Sequence, residues 1–231
     1  TPAFLELTKQ GQTESQLLNN FKDKEIRKRM FLLFLCVSSS GAILFFCVQV
    51  YTAIFLKTSV KLAPEIVDRL SLYATLCLLP LTVFAGWLSD KVGRKPVVVS
   101  GLLLGTLMML PTFYALQYLG SHYIEFNQQE NILLISLLLT GLSLALALVV
   151  GPQTALLAEL FPARSRNSAA TLPHNLAAGW IGGLLPLIVT WLNQRWGNEI
   201  AGLWYPTIFL GSAAILALLY LPETKKIDLR T

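Results

Sequence analysis

The chain has 231 residues, of which 54% are apolar and only 13% charged, and its mean hydropathy is +0.59. Those values lie outside the range of soluble domains. The formal charge of +5 gathers at the ends of apolar runs, so it reads as membrane orientation and weak attraction to anionic lipid, not as a nucleic-acid footprint.

Residues 1–29 are polar and basic. Thr13-Glu14-Ser15-Gln16 fits a capping box, and Leu17, Leu18, Phe21 and Ile26 form a weak apolar stripe. The segment is therefore either a short helix lying along the membrane interface or a solvated linker. Six windows without Asp, Glu, Lys or Arg follow: 30–56, 70–89, 96–124, 131–158, 167–194 and 200–222. Each holds the ~20 residues that a helix needs to cross a bilayer. Backbone amides find no water there, and period-2 alternation is missing, which excludes a closed barrel. The fold class is an all-α membrane protein, a six-transmembrane-helix bundle over 30–222 with a polar tail over 223–231.

With both termini placed in the cytoplasm, 14 of the 18 basic residues fall on the inner side, the arrangement that lysine and arginine impose. No cleavable signal peptide is visible, and a chain beginning with Thr is expected to be part of a longer polypeptide. Cys36, Cys47 and Cys77 lie inside spans without metal-ligand spacing, so they read as packing residues and no metal site or cofactor is expected.

Helix breakers recur at mid-depth: Pro80, Pro111, Gly151-Pro152, Pro173, Pro186 and Pro206. Such breaks are tolerated where neighbours or a wet cavity take up the freed carbonyl. The small pairs Gly101/Gly105 and Gly179/Gly183 are expected to let helices approach closely. The spans contain no Asp, Glu, Lys or Arg, so a carboxylate or arginine that binds protons or a charged substrate is expected outside this chain, unless His174 takes that role. His174 could bind a proton or substrate, or simply pack. Gln153 and Asn175 flank helix breaks, where transporters place their sites, though either could equally be helix–helix glue. Gln49 and Tyr51 lie toward the outer end of the first span, and Asn193 reads as a helix cap.

The most informative segment is the connector Gly86-Trp87-Leu88-Ser89-Asp90-Lys91-Val92-Gly93-Arg94-Lys95-Pro96. Gly93 suits a positive φ, and Pro96 suits the first turn of the next helix. The connector resembles the signature loop of the major facilitator superfamily, G-x-L-[AS]-D-[RK]-x-G-[RK]-[RK], with Lys91 where Arg is commoner. Three further stretches are similar to that family: Glu159 through Arg166, as E-x-F-P-x-x-x-R; Pro222-Glu223-Thr224-Lys225, as P-E-T-K; and Thr1-Pro2-Ala3-Phe4.

Their order is that of the C-terminal half of a twelve-helix carrier, with 1–29 as its central cytoplasmic loop. Val50 through Lys57 and Asn175 through Pro186 look most like the metabolite:proton symporters, although those more often carry an aromatic residue at the position of His174. The resemblance implies alternating-access transport of a small polar or anionic metabolite, probable partners being protons and an N-terminal six-helix half, in the inner membrane. It also implies a cytoplasmic latch built from Gly86, Asp90, Gly93, Arg94 and Lys95, with Glu159, Arg164 and Arg166 as partners; an ordinary charged turn is the alternative. Sugar porters, or a self-contained six-span protein that dimerises as a half-transporter or pore, are the competing readings. An enzyme would need acids, His or a nucleophile clustered at one depth, which these spans lack.

Overall fold

The computed structural model describes residues 24–121, 128–160 and 166–224, and every regular element among them is helical. Six helical stretches are long and apolar enough to cross a membrane: Ile26–Thr58, Pro64–Val92, Arg94–Gly120, Asn131–Glu159, Thr171–Trp196 and Ala201–Tyr220. They are called the first to sixth spans below. The expected interfacial helix before Lys24 lies outside the described residues. The first described helix, Lys24–Leu32, already takes in the basic cluster that the sequence assigns to the loop. Long basic side chains tolerate this because their stems lie along apolar surface while their charges reach the headgroups.

The second span likewise runs past its charge-free window at both ends. Pro64 sits in its first turn, where the missing N–H would have no partner anyway. It stops at Gly93, whose φ of +125° ends the helix. Pro80 and Pro111 are absorbed inside continuous helices. Gly151-Pro152, by contrast, interrupts the fourth span, which resumes as the short helix Gln153–Glu159.

The first span is the most buried, with 61% of its most apolar window covered, against 17% for the second and 22% for the fifth. Two of its stretches, Leu33–Ser39 and Phe46–Tyr51, are π-helical, as is Ala177–Gly182 of the fifth span. Directly after each π segment of the first span a hydroxyl reaches back five residues, Ser40 Oγ to the Leu35 carbonyl at 3.1 Å and Thr52 Oγ1 to the Cys47 carbonyl at 2.8 Å. In the α-helical spans the same bond runs back three or four residues, as from Ser100 to Val97 and from Ser71 to Val67. The hydroxyls therefore satisfy carbonyls in the wider π register.

Close helix approach follows one glycine pair and not the other. A Cβ on Gly101 would lie 2.8 Å from Leu148 Cβ, and one on Gly105 would lie 2.9 Å from Leu44, so the third span packs tightly on the fourth and first. Gly179 has nothing within 4 Å, and Gly183 meets only its own helix. In the fifth span it is Gly182 that faces the first closely, since a Cβ there would lie 2.7 Å from Phe46. Overpacking such a contact costs ~1–3 kcal/mol. Gly101→Leu should therefore lower the thermal unfolding midpoint in detergent, whereas Gly179→Ala should leave it in place or raise it. Equal effects of the two would contradict this packing.

Candidate functional site

At one end of the bundle, four pieces of chain meet: the end of the second span, the start of the third with Arg94, the end of the fourth, and the tail. The Arg94 side chain is 11% exposed and its Nη2 lies 3.1 Å from Glu159 Oε1 at the end of the fourth span. Nη1 donates to Asp90 and, at 2.9 Å, to the hydroxyl of the buried Ser89. Ser89 is held in turn by its own bond to the Gly86 carbonyl at 2.7 Å. The Glu159 carboxylate is equally enclosed, and its Oε2 accepts from the hydroxyl of the buried Thr224 at 2.5 Å.

The fourth piece is the tail. Glu223 accepts from the backbone N–H of Arg94 at 2.9 Å and of Lys95 at 3.2 Å. These are the first amides of the third span, which have no partner within their own helix. A carboxylate there gains from the helix dipole and from charge-assisted bonds. Gly93 is required twice: its φ is positive, and a Cβ would lie 2.5 Å from Glu223 Oε2. Gly86 and Gly151 mark the crossing just inside this cluster, where a Cβ on Gly151 would be 2.9 Å from the Gly86 nitrogen.

Of the expected latch residues, the structure thus brings together Gly86, Asp90, Gly93, Arg94 and Glu159, with Lys95 contributing its backbone amide. Arg164 and the Arg166 side chain lie outside the described residues. Ser89, Glu223 and Thr224 were missed as site residues. The P-E-T-K stretch was the available signal for the last two, because an acid and a hydroxyl beside a span end are natural partners for a basic connector.

The intramembrane candidates fall into three groups. Gln153 is 5% exposed and its Nε2 lies 3.0 Å from His174 Nδ1, joining the fourth and fifth spans. A Cβ on Gly41 would sit 3.3 Å from Gln153 Oε1, so the first span presses on the same amide. Asn175 is exposed. Gln49 accepts from Thr75 Oγ1 of the second span at 2.9 Å, while its Nε2 is buried without a protein partner among the described residues.

Tyr51 belongs to a different place, the opposite end of the bundle. Its hydroxyl accepts from Asn193 Nδ2 at 2.8 Å, and Asn193 also bonds the Glu199 carbonyl and the Gly202 N–H. Asn193 is therefore a junction of the first, fifth and sixth spans and not merely a cap. Tyr51, Thr190, Asn193, Gln194, Asn198 and Glu199 border a cavity of about 350 Å³ there. Metal-ligating clusters are absent among the described residues.

Comparison with known proteins places these features in a family. Residues 4–231 match the model described as "Sugar (and other) transporter", and the chain belongs to that family of the major facilitator superfamily. It is 34% identical over 142 residues to the inner membrane metabolite transport protein YhjE of Escherichia coli strain K12, covering 61% of this chain and 29% of that protein. It is 29% identical over 146 residues to the ectoine/proline transporter ProP of Corynebacterium glutamicum, covering 63% and 27%. A third relative, the alpha-ketoglutarate permease of Escherichia coli strain K12, is 25% identical over 192 residues, covering 83% and 42%. The matches thus span well under half the length of these relatives.

The cluster predicts a ranking of stabilities. Removing one member of an enclosed ion pair strands the other and costs ~3–5 kcal/mol, so Glu159→Ala should lower the unfolding midpoint strongly. The Asp90 side chain is 64% exposed, and an exposed pair contributes ~0–1 kcal/mol, so Asp90→Asn should shift the midpoint little. Thermal unfolding of the two variants in one detergent checks the order.

Proposed function

We propose that the chain is the C-terminal half of a secondary carrier that moves a small polar or anionic metabolite by alternating access, coupled to protons. The observation that carries this reading is the convergence of connector, fourth span and tail on Arg94, a cluster placed to hold one end of the bundle shut. Three features support a partner half. The matches cover 27–42% of the relatives' lengths. The fifth span has only 22% of its most apolar window covered. The exposed row Asn175, Gly179 and Gly183 includes two glycines that no other helix meets among the described residues.

In this scheme Asp90, Arg94, Glu159 and Glu223 act as the cytoplasmic latch. Its enclosed core, the Arg94–Glu159 pair, is expensive to open while dry because each charge loses its partner. Once the cavity admits water, the same charges are hydrated and separate at little cost. The positive-inside distribution puts this end, and both ends of the chain, in the cytoplasm.

Substrate would meet uncharged polar groups on this wall. Gln49 is favoured, because an acceptor on its buried Nε2 would complete an amide that otherwise stands ~1–3 kcal/mol short of satisfied. Gln153 and His174 are engaged with one another, so they serve a proton or substrate only by exchanging partners. Proline, ectoine and alpha-ketoglutarate, which the relatives' names mention, form the first panel.

Uptake by the full-length carrier should accumulate one panel member only with a proton gradient. Asp90→Asn should slow the maximal rate without changing insertion. Gln49→Ala should raise KM about tenfold, the worth of one hydrogen bond to a charged group. Wild-type rates in Asp90→Asn would remove the latch, and gradient-independent accumulation would remove the coupling.

A further inference from the structure

The cavity of about 350 Å³ beside Tyr51 is used by no step above. One amide fixes its hydrogen-bonding pattern. Asn193 Oδ1 accepts from the Gly202 N–H at 2.6 Å, which orients that side chain. Both Nδ2 hydrogens are then engaged, one by the Tyr51 hydroxyl oxygen and one by the Glu199 carbonyl. Tyr51 therefore receives a bond from Asn193 and has to send its own hydrogen elsewhere. The residue is 2% exposed and borders the cavity, and its O–H meets no acceptor among the described residues. A buried donor in that state is completed by an acceptor in the cavity.

The rest of the lining can be sorted in the same way. Thr58 and Thr190 donate to the carbonyls of Ile54 and Pro186, at 2.8 and 2.7 Å, so they offer the cavity lone pairs only. Asn198 Oδ1 accepts from the Ile200 N–H at 2.9 Å, which leaves the Asn198 Nδ2 hydrogens as donors. Among the described residues that border the cavity, Glu199 alone carries a formal charge, and its carboxylate accepts from Gln117 Nε2 at 3.2 Å. Lys57, next to Thr58, is paired with Asp68.

We infer that this cavity is a subsite for a small zwitterion, with its carboxylate on the Tyr51 hydroxyl and its cationic nitrogen toward Glu199 and the threonine oxygens. A lining with one carboxylate and no basic side chain opposes a dianion and suits a solute whose own charges cancel. The inference rests on the carrier reading and narrows its solute to one charge class. Thr190 stands about two turns beyond Gly183, so the cavity continues the row that meets the other half and lies on the route of the solute.

The test is thiol protection in the detergent-solubilised full-length carrier. Gln194 borders the cavity and Arg195 does not, so maleimide labelling of Gln194→Cys and Arg195→Cys is followed over the background of the unsubstituted protein. Proline, a zwitterion, should slow the labelling of Gln194→Cys and leave Arg195→Cys unchanged, while alpha-ketoglutarate, a dianion, should protect neither. Adding Tyr51→Phe, which keeps the ring, should raise the proline concentration for half protection about tenfold, the loss of one hydrogen bond to a charged group. Adding Glu199→Gln should raise it by up to about fivefold, because that carboxylate is exposed. An unreactive Gln194→Cys beside a reactive Arg195→Cys would mean that the other half fills the cavity, and overturns the site. So does equal protection by the two probes, or undiminished protection by proline in both Tyr51→Phe and Glu199→Gln. Protection reads equilibrium binding, so a failure of proton coupling or of the Arg94 latch leaves it intact, and its own failure leaves the uptake tests standing.

Discussion

A guanidinium kept almost dry at the start of a helix governs the organisation of one whole end of this bundle. Arg94 needs acceptors on every side because burial removes its water. Asp90 and Ser89 come from the preceding helix, and Glu159 comes from the fourth span. Glu223, from 129 residues further along, does not pair with the guanidinium but closes the amide end of the same helix. The tail thereby becomes part of the connector's structure. Glu159 is shared, bonding Arg94 and Thr224 at once, so movement of the fourth span is felt by the tail and the connector together.

The two ends of the bundle are held by different chemistry. The Arg94 end is ionic, and ionic contacts respond steeply to hydration. The other end relies mostly on neutral groups: Asn193 joins Tyr51, the Glu199 carbonyl and the Gly202 amide, and among the described residues charge enters through the exposed Lys57–Asp68 pair, at 2.7 Å, and the Glu199 carboxylate, which accepts from Gln117 Nε2 at 3.2 Å. Neutral bonds change less when water enters. Within the carrier proposed above, the asymmetry fits a body that pivots about its neutral junction and parts at its ionic end. The π-helical stretches of the first and fifth spans lie between these ends, and Gly182 brings them into contact at Phe46.

Much of this was legible in the chain itself. Six charge-free windows gave six spans because the bilayer tolerates neither exposed amides nor unpaired charges. The connector gave the ionic end, because so many charges in so short a link have to be mutually arranged. The boundaries were less legible: the second span continues through Glu65, Asp68, Arg69, Asp90 and Lys91, since a helix stops where its backbone is broken and not where its side chains become charged. The pairing of Glu223 with the third span was illegible for a different reason. Contacts across 129 residues depend on which helix ends become neighbours, and no local pattern encodes that. The π register also escaped notice, because it depends on how neighbouring helices seat the first span. Glycine spacing misled in one case, since Gly179/Gly183 has the same period as Gly101/Gly105 but meets no other helix among the described residues.

That unmatched pair bears on what the bundle is built to meet. Lipid tails are as apolar as leucine, so an apolar helix has no hydrophobic reason to hide from them. Low burial of the second span is therefore uninformative alone, because its exposed residues include Leu72, Leu76, Leu79 and Val83, well suited to lipid. The fifth span differs in kind. Its exposed residues include Asn175, Gly179 and Gly183 at four-residue spacing, a polar group and two bare backbone positions. Lipid gains little from such a row, and an amide in hydrocarbon lacks partners. A second helix gains much from it, through close backbone approach, and a water-filled cavity gains from the amide. Within the carrier proposed above, the second span can be turned largely to lipid, while the fifth supplies the seam at which two halves meet and substrate passes.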